Sequence, residues 1–265
     1  MKIFISADIE GVTTTTLGNE CHSVKPEYPL HAKQMTEEVL ACISGAKKAG
    51  AKEFLVRDAH ADATNIDPTR MPSGVSLMRN WSGHPYSMAE GVDKTFDAAM
   101  FIGYHAPAGR TGNPLGHTIS GRPHTIKING ILTSEFLLYS WACALEGVPT
   151  VFLSGDKTLC DDFKDLHPML ITCPVKDGIG SMSINYSVED TLKNITELSE
   201  KALSQDLSKA LVKLPKRYDV EIEYKSHEHA QKVSWFPGVT KKSDTAVVFQ
   251  SDNYFEVLRA IKWIV

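Results

Sequence analysis

Short apolar runs rich in Ile, Val and Phe alternate, through roughly the first 160 residues, with longer stretches whose apolar positions return every three or four residues. The runs at 2–7, 53–57, 98–103, 124–129 and 150–154 are predicted strands. Between the first two, Met35, Val39, Ile43 and Ala46 form the apolar stripe of a helix over 31–49, which Gly50 closes. The stretch 134–146 predicts a second helix, ending at Gly147 with Pro149 barring its continuation, and it puts Glu135 in the first turn. Strand and helix periods in alternation predict an α/β fold: a mostly parallel sheet with flanking helices.

Beyond about residue 185 the pattern changes. A long polar-faced helical stretch over 188–214 runs up to Pro215, strands are expected at 219–224 and 245–250, and a closing helix at 253–264. The expected organisation is an α/β metal-binding catalytic domain over 1–185 and a smaller C-terminal α+β portion over 186–265, serving as a lid or an oligomer surface. Two long loops, 11–29 and 106–122, are candidates for function because long structureless connections in compact domains usually carry it.

Composition narrows the function classes. With 265 residues, 42% of them hydrophobic and 23% charged, the chain can build a full core. A formal net charge of −4 lacks the basic excess of a nucleic-acid binder, so no nucleic-acid partner is expected. The five cysteines are odd in number and form no C-x-x-C pair, which reads as reduced thiols in a cytoplasmic protein. The apolar start meets Asp8 before reaching signal-peptide length, and the apolar stretch 136–145 is about half of the ~20 residues that span a membrane. No membrane partner is expected. There is no G-x-G-x-x-G, no G-x-x-x-x-G-K-[ST] and no G-x-S-x-G, so nucleotide binding and serine hydrolysis lose their usual marks.

Ligands of open α/β sheets bind beyond the carboxyl ends of the strands. There the chain carries Asp8 and Glu10, Asp58 and His60, Tyr104 and His105, and Gly155 and Asp156. Alternation lets Asp8 and Glu10 face one point, and Asp58 and His60 likewise. Each has an ordinary explanation when taken alone, as a helix cap, a turn former or a surface histidine. Together on three successive strand ends they point to a divalent metal, for which carboxylate oxygen and imidazole nitrogen are suitable ligands. His117, between Gly116 and Gly121, is either a proton-transfer group or a turn histidine. Glu135 could serve only as a first-turn acid complementing the helix dipole, unless a metal lies near. Of the ten histidines, His22, His31, His84, His124, His167, His227 and His229 are read as surface or turn residues.

In order and spacing, these motifs resemble the zinc-dependent D-aminopeptidases of the dipeptide-operon (DppA) type. The likeness rests on Asp8-x-Glu10-Gly11, Asp58-x-His60, the run from Phe101 to Ala106, His117 and Glu135. It extends to the run from Ser87 to Gly91, to Thr95 and Phe96, and to Gly155 with Asp156. The resemblance implies two zinc ions held by Asp8, Glu10, His60, His105 and Glu135, with Asp8 bridging. Five residues then make six bonds, three per ion, leaving the open positions that catalytic zinc keeps. It further implies release of the N-terminal residue of short peptides such as D-Ala-D-Ala by metal-activated water, with His117 assisting. Asp58 would orient a ligand imidazole, and subunits would assemble as a homo-oligomer, a decameric ring. The competing readings are another metal-dependent hydrolase, for example a phosphatase, and a non-catalytic protein that binds peptide or metal.

Overall fold

The computed structural model describes residues 1–164, 166–167 and 169–265. Its strands are β1 (Lys2–Ala7), β2 (Glu53–Asp58), β3 (Val75–Met78), β4 (Ala98–Tyr104), β5 (Pro123–Ile128), β6 (Ile131–Leu132), β7 (Thr150–Asp156), β8 (Ile171–Ile179), β9 (Met182–Asn185), β10 (Tyr218–Tyr224), β11 (Val239–Lys241) and β12 (Ala246–Ser251). Its helices are α1 (Tyr28–Lys48), α2 (Glu135–Leu145), α3 (Lys157–Phe163), α4 (Val188–Leu203), α5 (His227–Val233) and α6 (Tyr254–Ile264).

A seven-stranded sheet runs in the order β3-β2-β1-β4-β7-β8-β9, parallel throughout except for the final pairing of β8 with β9. The α/β class expected from the sequence is the observed one. The progression β1 to β2 to β3 moves one way across the sheet, while β4, β7 and β8 move the other way. The order therefore reverses between β1 and β4, and a crevice opens at their carboxyl ends.

Both faces of this sheet are covered. Met35, Val39, Ile43 and Ala46 of α1, the positions picked out by period, are all buried against one face, where α4 also packs. On the other face Phe4, Phe101 and Leu153 join Phe136 and Trp141 of α2 and Tyr254 and Leu258 of α6 in one apolar cluster.

Strand β5 is a correction to the sequence expectation. It lies not in the parallel sheet but in a second, antiparallel one, ordered β11-β12-β10-β5-β6. Its burial is consistent with this: Ile126 and Ile128 are buried while Lys127 between them faces solvent, a pattern suited to a sheet covered on one side. The strands also do not part company at residue 185, because β5 and β6 pair with the C-terminal strands while α4 packs on α1. Ile126, Val220 and Tyr254 share their apolar cluster with Phe101, so the second sheet is joined to the first by common packing. Helix α4 ends at Leu203, well before Pro215: Ser204 closes it, and Asp206 caps a short 3-10 turn over Leu207–Lys209. No helix among the described residues is long and apolar enough to cross a membrane.

Candidate metal centre

The crevice at the sheet reversal is where the polar strand ends meet. Asp8 follows β1, and its N–H donates to the Ile102 carbonyl of β4 at 2.9 Å, so the two strand ends advance together. The chain then turns so tightly that a Cβ on Gly11 would sit 1.8 Å from the Tyr104 carbonyl oxygen. A Cβ on Gly155 would sit 2.0 Å from the same atom. These two glycines let β1, β4 and β7 close around the point where His105 leaves the sheet. Tyr104 itself points the other way, its hydroxyl paired with Ser6 Oγ at 2.7 Å.

Six of the residues singled out in the sequence converge here. His60 Nδ1 lies 3.3 Å from Asp8 Oδ1 and 2.9 Å from Glu10 Oε2. His105 Nε2 lies 3.5 Å from Asp8 Oδ2 and 3.3 Å from Glu135 Oε2, and His117 Nε2 lies 3.5 Å from Glu135 Oε1. The rings of His105 and His117 stack with centroids 4.5 Å apart. Two sets of potential ligand atoms, Asp8 with Glu10 and His60, and Asp8 with His105 and Glu135, share Asp8; a third set groups Glu10, His105 and His117.

The donor set fits divalent metal. Each imidazole has one ring nitrogen beside a backbone carbonyl: His60 Nε2 at 2.9 Å from Cys21, His105 Nδ1 at 3.0 Å from Ala106, and His117 Nδ1 at 2.9 Å from Leu115. A carbonyl only accepts, so that nitrogen carries the proton and the other ring nitrogen turns its lone pair into the cluster. Asp8 Oδ2 and His105 Nε2 are buried and without a hydrogen-bond partner. Among the described residues no lysine or arginine side chain pairs with Asp8, Glu10 or Glu135. Three buried carboxylates faced only by titratable imidazoles form a set that divalent ions can neutralise in place of protons.

Titration follows the same geometry. Burial, with the neighbouring Glu10 charge, holds the Asp8 carboxyl well above its usual range. Burial would also raise Glu10, but His60 beside it outweighs that and holds it well below. His60 is pulled well above its ordinary value, Glu10 overcoming the effect of burial, and Glu135 likewise overcomes burial to push His105 up to about 10.

The surrounding loops are held rigidly. Ser134 caps α2, its Oγ accepting from Leu137 N at 3.1 Å, which sets Glu135 in the first turn. Glu135 Oε1 also accepts from the N–H of Ile119 at 2.6 Å, and Ile119 has φ of 67°, a conformation rare for a β-branched residue. Ala61 and Ser87 line the same cavity with φ of 48° and 45°, and such strain concentrates at functional sites.

Asp58 does not orient an imidazole, contrary to expectation. Its carboxylate accepts from Asn65 N, Asn65 Nδ2 and Ile66 N at 2.6–2.7 Å, and Asn65 Nδ2 also donates to the His60 carbonyl. Asp58 therefore folds the loop that carries His60. Asp156 lies outside the three ligand groupings too: it caps α3 through Leu159 N and accepts from Ala106 N at 2.7 Å, fixing the backbone beside His105. Sequence reasoning missed Lys176, which is fully buried and donates to the carbonyls of Glu10 and Thr15. Burial lowers its ammonium to about 8. A lysine inside the apolar run that forms β8 was the available signal.

The cluster forms the floor of a cavity of about 620 Å³, walled in part by Trp81, Met88, Leu115 and Ile119. His22, read as an ordinary histidine, lines it as well. Trp81 is set by its Nε1, which donates to the Ala61 carbonyl at 2.6 Å, and by the Arg57 guanidinium 4.1 Å from its ring centroid. Neither Arg57, nor Arg110 paired with Asp162, nor Arg122 bonded to the Val265 carbonyl lines the cavity. Among the described lining residues Lys262 is the one lysine or arginine, short of the arginine clamp expected of a phosphatase.

Comparison with known proteins gives the chain its relatives. A family model for peptidase M55, described as D-aminopeptidase, matches residues 1–263. A D-aminopeptidase of Bacillus subtilis (strain 168) is 30% identical over 264 residues, which cover 98% of this chain and 95% of that protein. A solved structure, described as the Zn-dependent D-aminopeptidase DppA from Bacillus subtilis, a self-compartmentalizing protease, matches with a TM-score of 0.93 at 28% identity. The match covers 100% of this chain and 96% of that one.

Proposed function

The chain belongs to the peptidase M55 family of D-aminopeptidases, and from that premise we propose that it is a two-zinc aminopeptidase releasing the N-terminal residue of short peptides, D-Ala-D-Ala among them. The observation that carries the reading is Asp8, shared between two buried carboxylate and histidine sets on the floor of one cavity. We assign the ligands as Asp8, Glu10 and His60 for one ion and Asp8, His105 and Glu135 for the other, with Asp8 bridging. When bound, the two ions supply an activated water and a Lewis acid for the scissile carbonyl.

The chain's own groups do the rest. His117 reaches the cavity floor on a strained loop, its Nδ1 proton tied to the Leu115 carbonyl and its Nε2 free to accept or return a proton at the reacting centre. Its side chain is 28% exposed whereas that of His105 is 1% exposed, which suits a group that meets substrate rather than one sealed behind it. Trp81, Met88 and Leu115 give the cavity apolar wall for the side chains of a bound peptide.

The deciding experiment measures metal per subunit together with D-alanine release from D-Ala-D-Ala, before and after chelation. Two zinc ions at full occupancy and turnover lost on chelation are expected; a single ion at saturation defeats the two-zinc assignment. Uptake should also depend on pH. In the metal-free protein His105 holds a second ring proton past neutrality and His60 is raised in the same direction, and zinc must displace such protons. Apparent affinity is therefore expected to rise with pH by up to about tenfold per unit for each proton displaced.

We also propose that this chain assembles into a closed homo-oligomer, with the decameric ring implied by the sequence resemblance as its form. The edge strand β9 and its hairpin expose Ile179, Met182 and Ile184, an apolar edge of the kind that proteins cover. The strand's unpaired edge offers both hydrogen bonds and apolar area to a second copy. Light scattering should give ten times the 29.2 kDa subunit mass; a monomer at micromolar concentration removes the assembly.

A further inference from the structure

The same cavity has one feature that the metal chemistry leaves unused. Lys262, in the last turn of α6, is the one lysine or arginine among its described lining residues. It is half-buried, and among the described residues its ammonium has neither an ion-pair partner nor a hydrogen-bond acceptor, although most lysines nearby in sequence lie on open surface.

Its position is built by several contacts. The Val265 carbonyl oxygen accepts from Ser120 Oγ at 3.1 Å and from Arg122 Nη1 at 2.9 Å, and the Ile264 carbonyl accepts from Tyr224 Oη at 2.9 Å. Tyr254 Oη at the start of α6 donates to the Leu138 carbonyl of α2, the helix that carries Glu135. Ile261 and Ile264 are buried in the shared core. Helix α6 is thus pinned at one end to the loop of His117 to Arg122 and at the other to α2. The backbone of Lys262 is held in register with the floor of the site, and only its flexible side chain is free to move.

We propose that Lys262 receives the free α-carboxylate of the substrate and so selects dipeptides and very short peptides over longer or C-terminally blocked ones. The inference rests on the aminopeptidase reading and deepens it. A dipeptide zwitterion has an amine at one end and a carboxylate at the other, and the cavity has a carboxylate and histidine floor and, apart from it, the unpaired Lys262. Asp8, Glu10 and Glu135 with their metals take the amine and the scissile carbonyl. Cleavage of the N-terminal bond puts the amine end at that floor, and the carboxylate at the other end is left to pair with Lys262, the one lysine or arginine among the described lining residues. The pairing orients the peptide with its amine inward. A longer peptide would set a neutral amide beside the ammonium and forfeit a charge-assisted hydrogen bond.

The test compares D-alanyl-D-alanine with D-alanyl-D-alaninamide, which has the same side chains and stereochemistry but no carboxylate. The zinc-loaded enzyme is expected to prefer the acid by about tenfold or more in kcat/KM, expressed mainly in KM, the size of one charge-assisted contact. Lys262→Met, nearly the same in length, should bring that ratio to within about twofold of unity, and Lys262→Glu should reverse it. An acid preference that survives in Lys262→Met overturns the assignment, as does a wild type that treats acid and amide alike. Failure of the peptidase reading would look different: neither compound would be cleaved. Calorimetric binding of the acid and the amide to the zinc-loaded protein then decides for the lysine. An acid preference lost in Lys262→Met upholds it, and equal binding overturns it.

Discussion

Replacing His117 with alanine is expected to lower kcat by about 10²–10⁴-fold, the usual worth of a positioned proton-transfer group, while both zinc ions stay bound. The five proposed ligands are nearly sealed from solvent, and His117 alone among the six converging groups is substantially open to the cavity. Its Nε2 faces Glu135 Oε1 across 3.5 Å, and its ring is stacked on His105, so the imidazole is aimed without being enclosed. The variant must be assayed for metal as well as turnover, because His117 also groups with Glu10 and His105 within ligand distance. Loss of a zinc ion in the alanine variant would make His117 a ligand. Retained turnover would take it out of the mechanism.

An Asp8→Ala variant should lose both ions together and with them all zinc-dependent activity. Asp8 is the residue common to the two proposed ligand sets, so its removal leaves each ion with only two protein ligands. Glu10→Ala and His105→Ala each take one member from a different Asp8 set and should weaken one ion more than the other. The loss in Asp8→Ala is not expected to come from misfolding. In the metal-free protein burial and the Glu10 charge already work against an ionised Asp8, so alanine relieves a buried carboxylate at the loss of one hydrogen bond, from the Ile9 N–H to Asp8 Oδ1 at 2.9 Å. Thermal unfolding separates the two causes: the metal-free variant should melt no lower than metal-free wild type, while the rise in Tm on adding zinc, present in wild type, should vanish. A variant that melts far below metal-free wild type would assign Asp8 a structural role instead.

The two substitutions probe different layers of the site. Asp8 sits at the strand reversal that defines the crevice, and its place follows from β1 and β4 pairing in parallel. His117 depends on a loop whose strained Ile119 is held by Glu135. Disturbing Glu135 should therefore reach both the proposed second ion and His117. Asp58 and Asp156 act one step further out, through the His60 loop and the Ala106 backbone.

Much of this was legible in the chain because it is local. The residue types at 8 and 10 marked the end of β1 as polar although a turn, not strand alternation, brings Glu10 beside Asp8, and the three-to-four spacing of Met35, Val39, Ile43 and Ala46 needs only a sheet to pack against. The residue types at successive strand ends were enough to point to divalent metal. What depended on tertiary structure is what joins distant segments. The alternation of β5 matches a sheet covered on one side, and its partner β10, some ninety residues later, fixed the sheet that it entered. The role of Asp58 turned on where the loop after β2 folds back, which strand period does not encode. The imidazole tautomers were set by carbonyls of Cys21, Ala106 and Leu115, and the cavity acquired its single lysine only because α6 returns to the His117 loop. Backbone periodicity acts over a few residues and can be read from them. Convergence of side chains is settled by packing between segments far apart in the chain, where many arrangements satisfy the same local pattern.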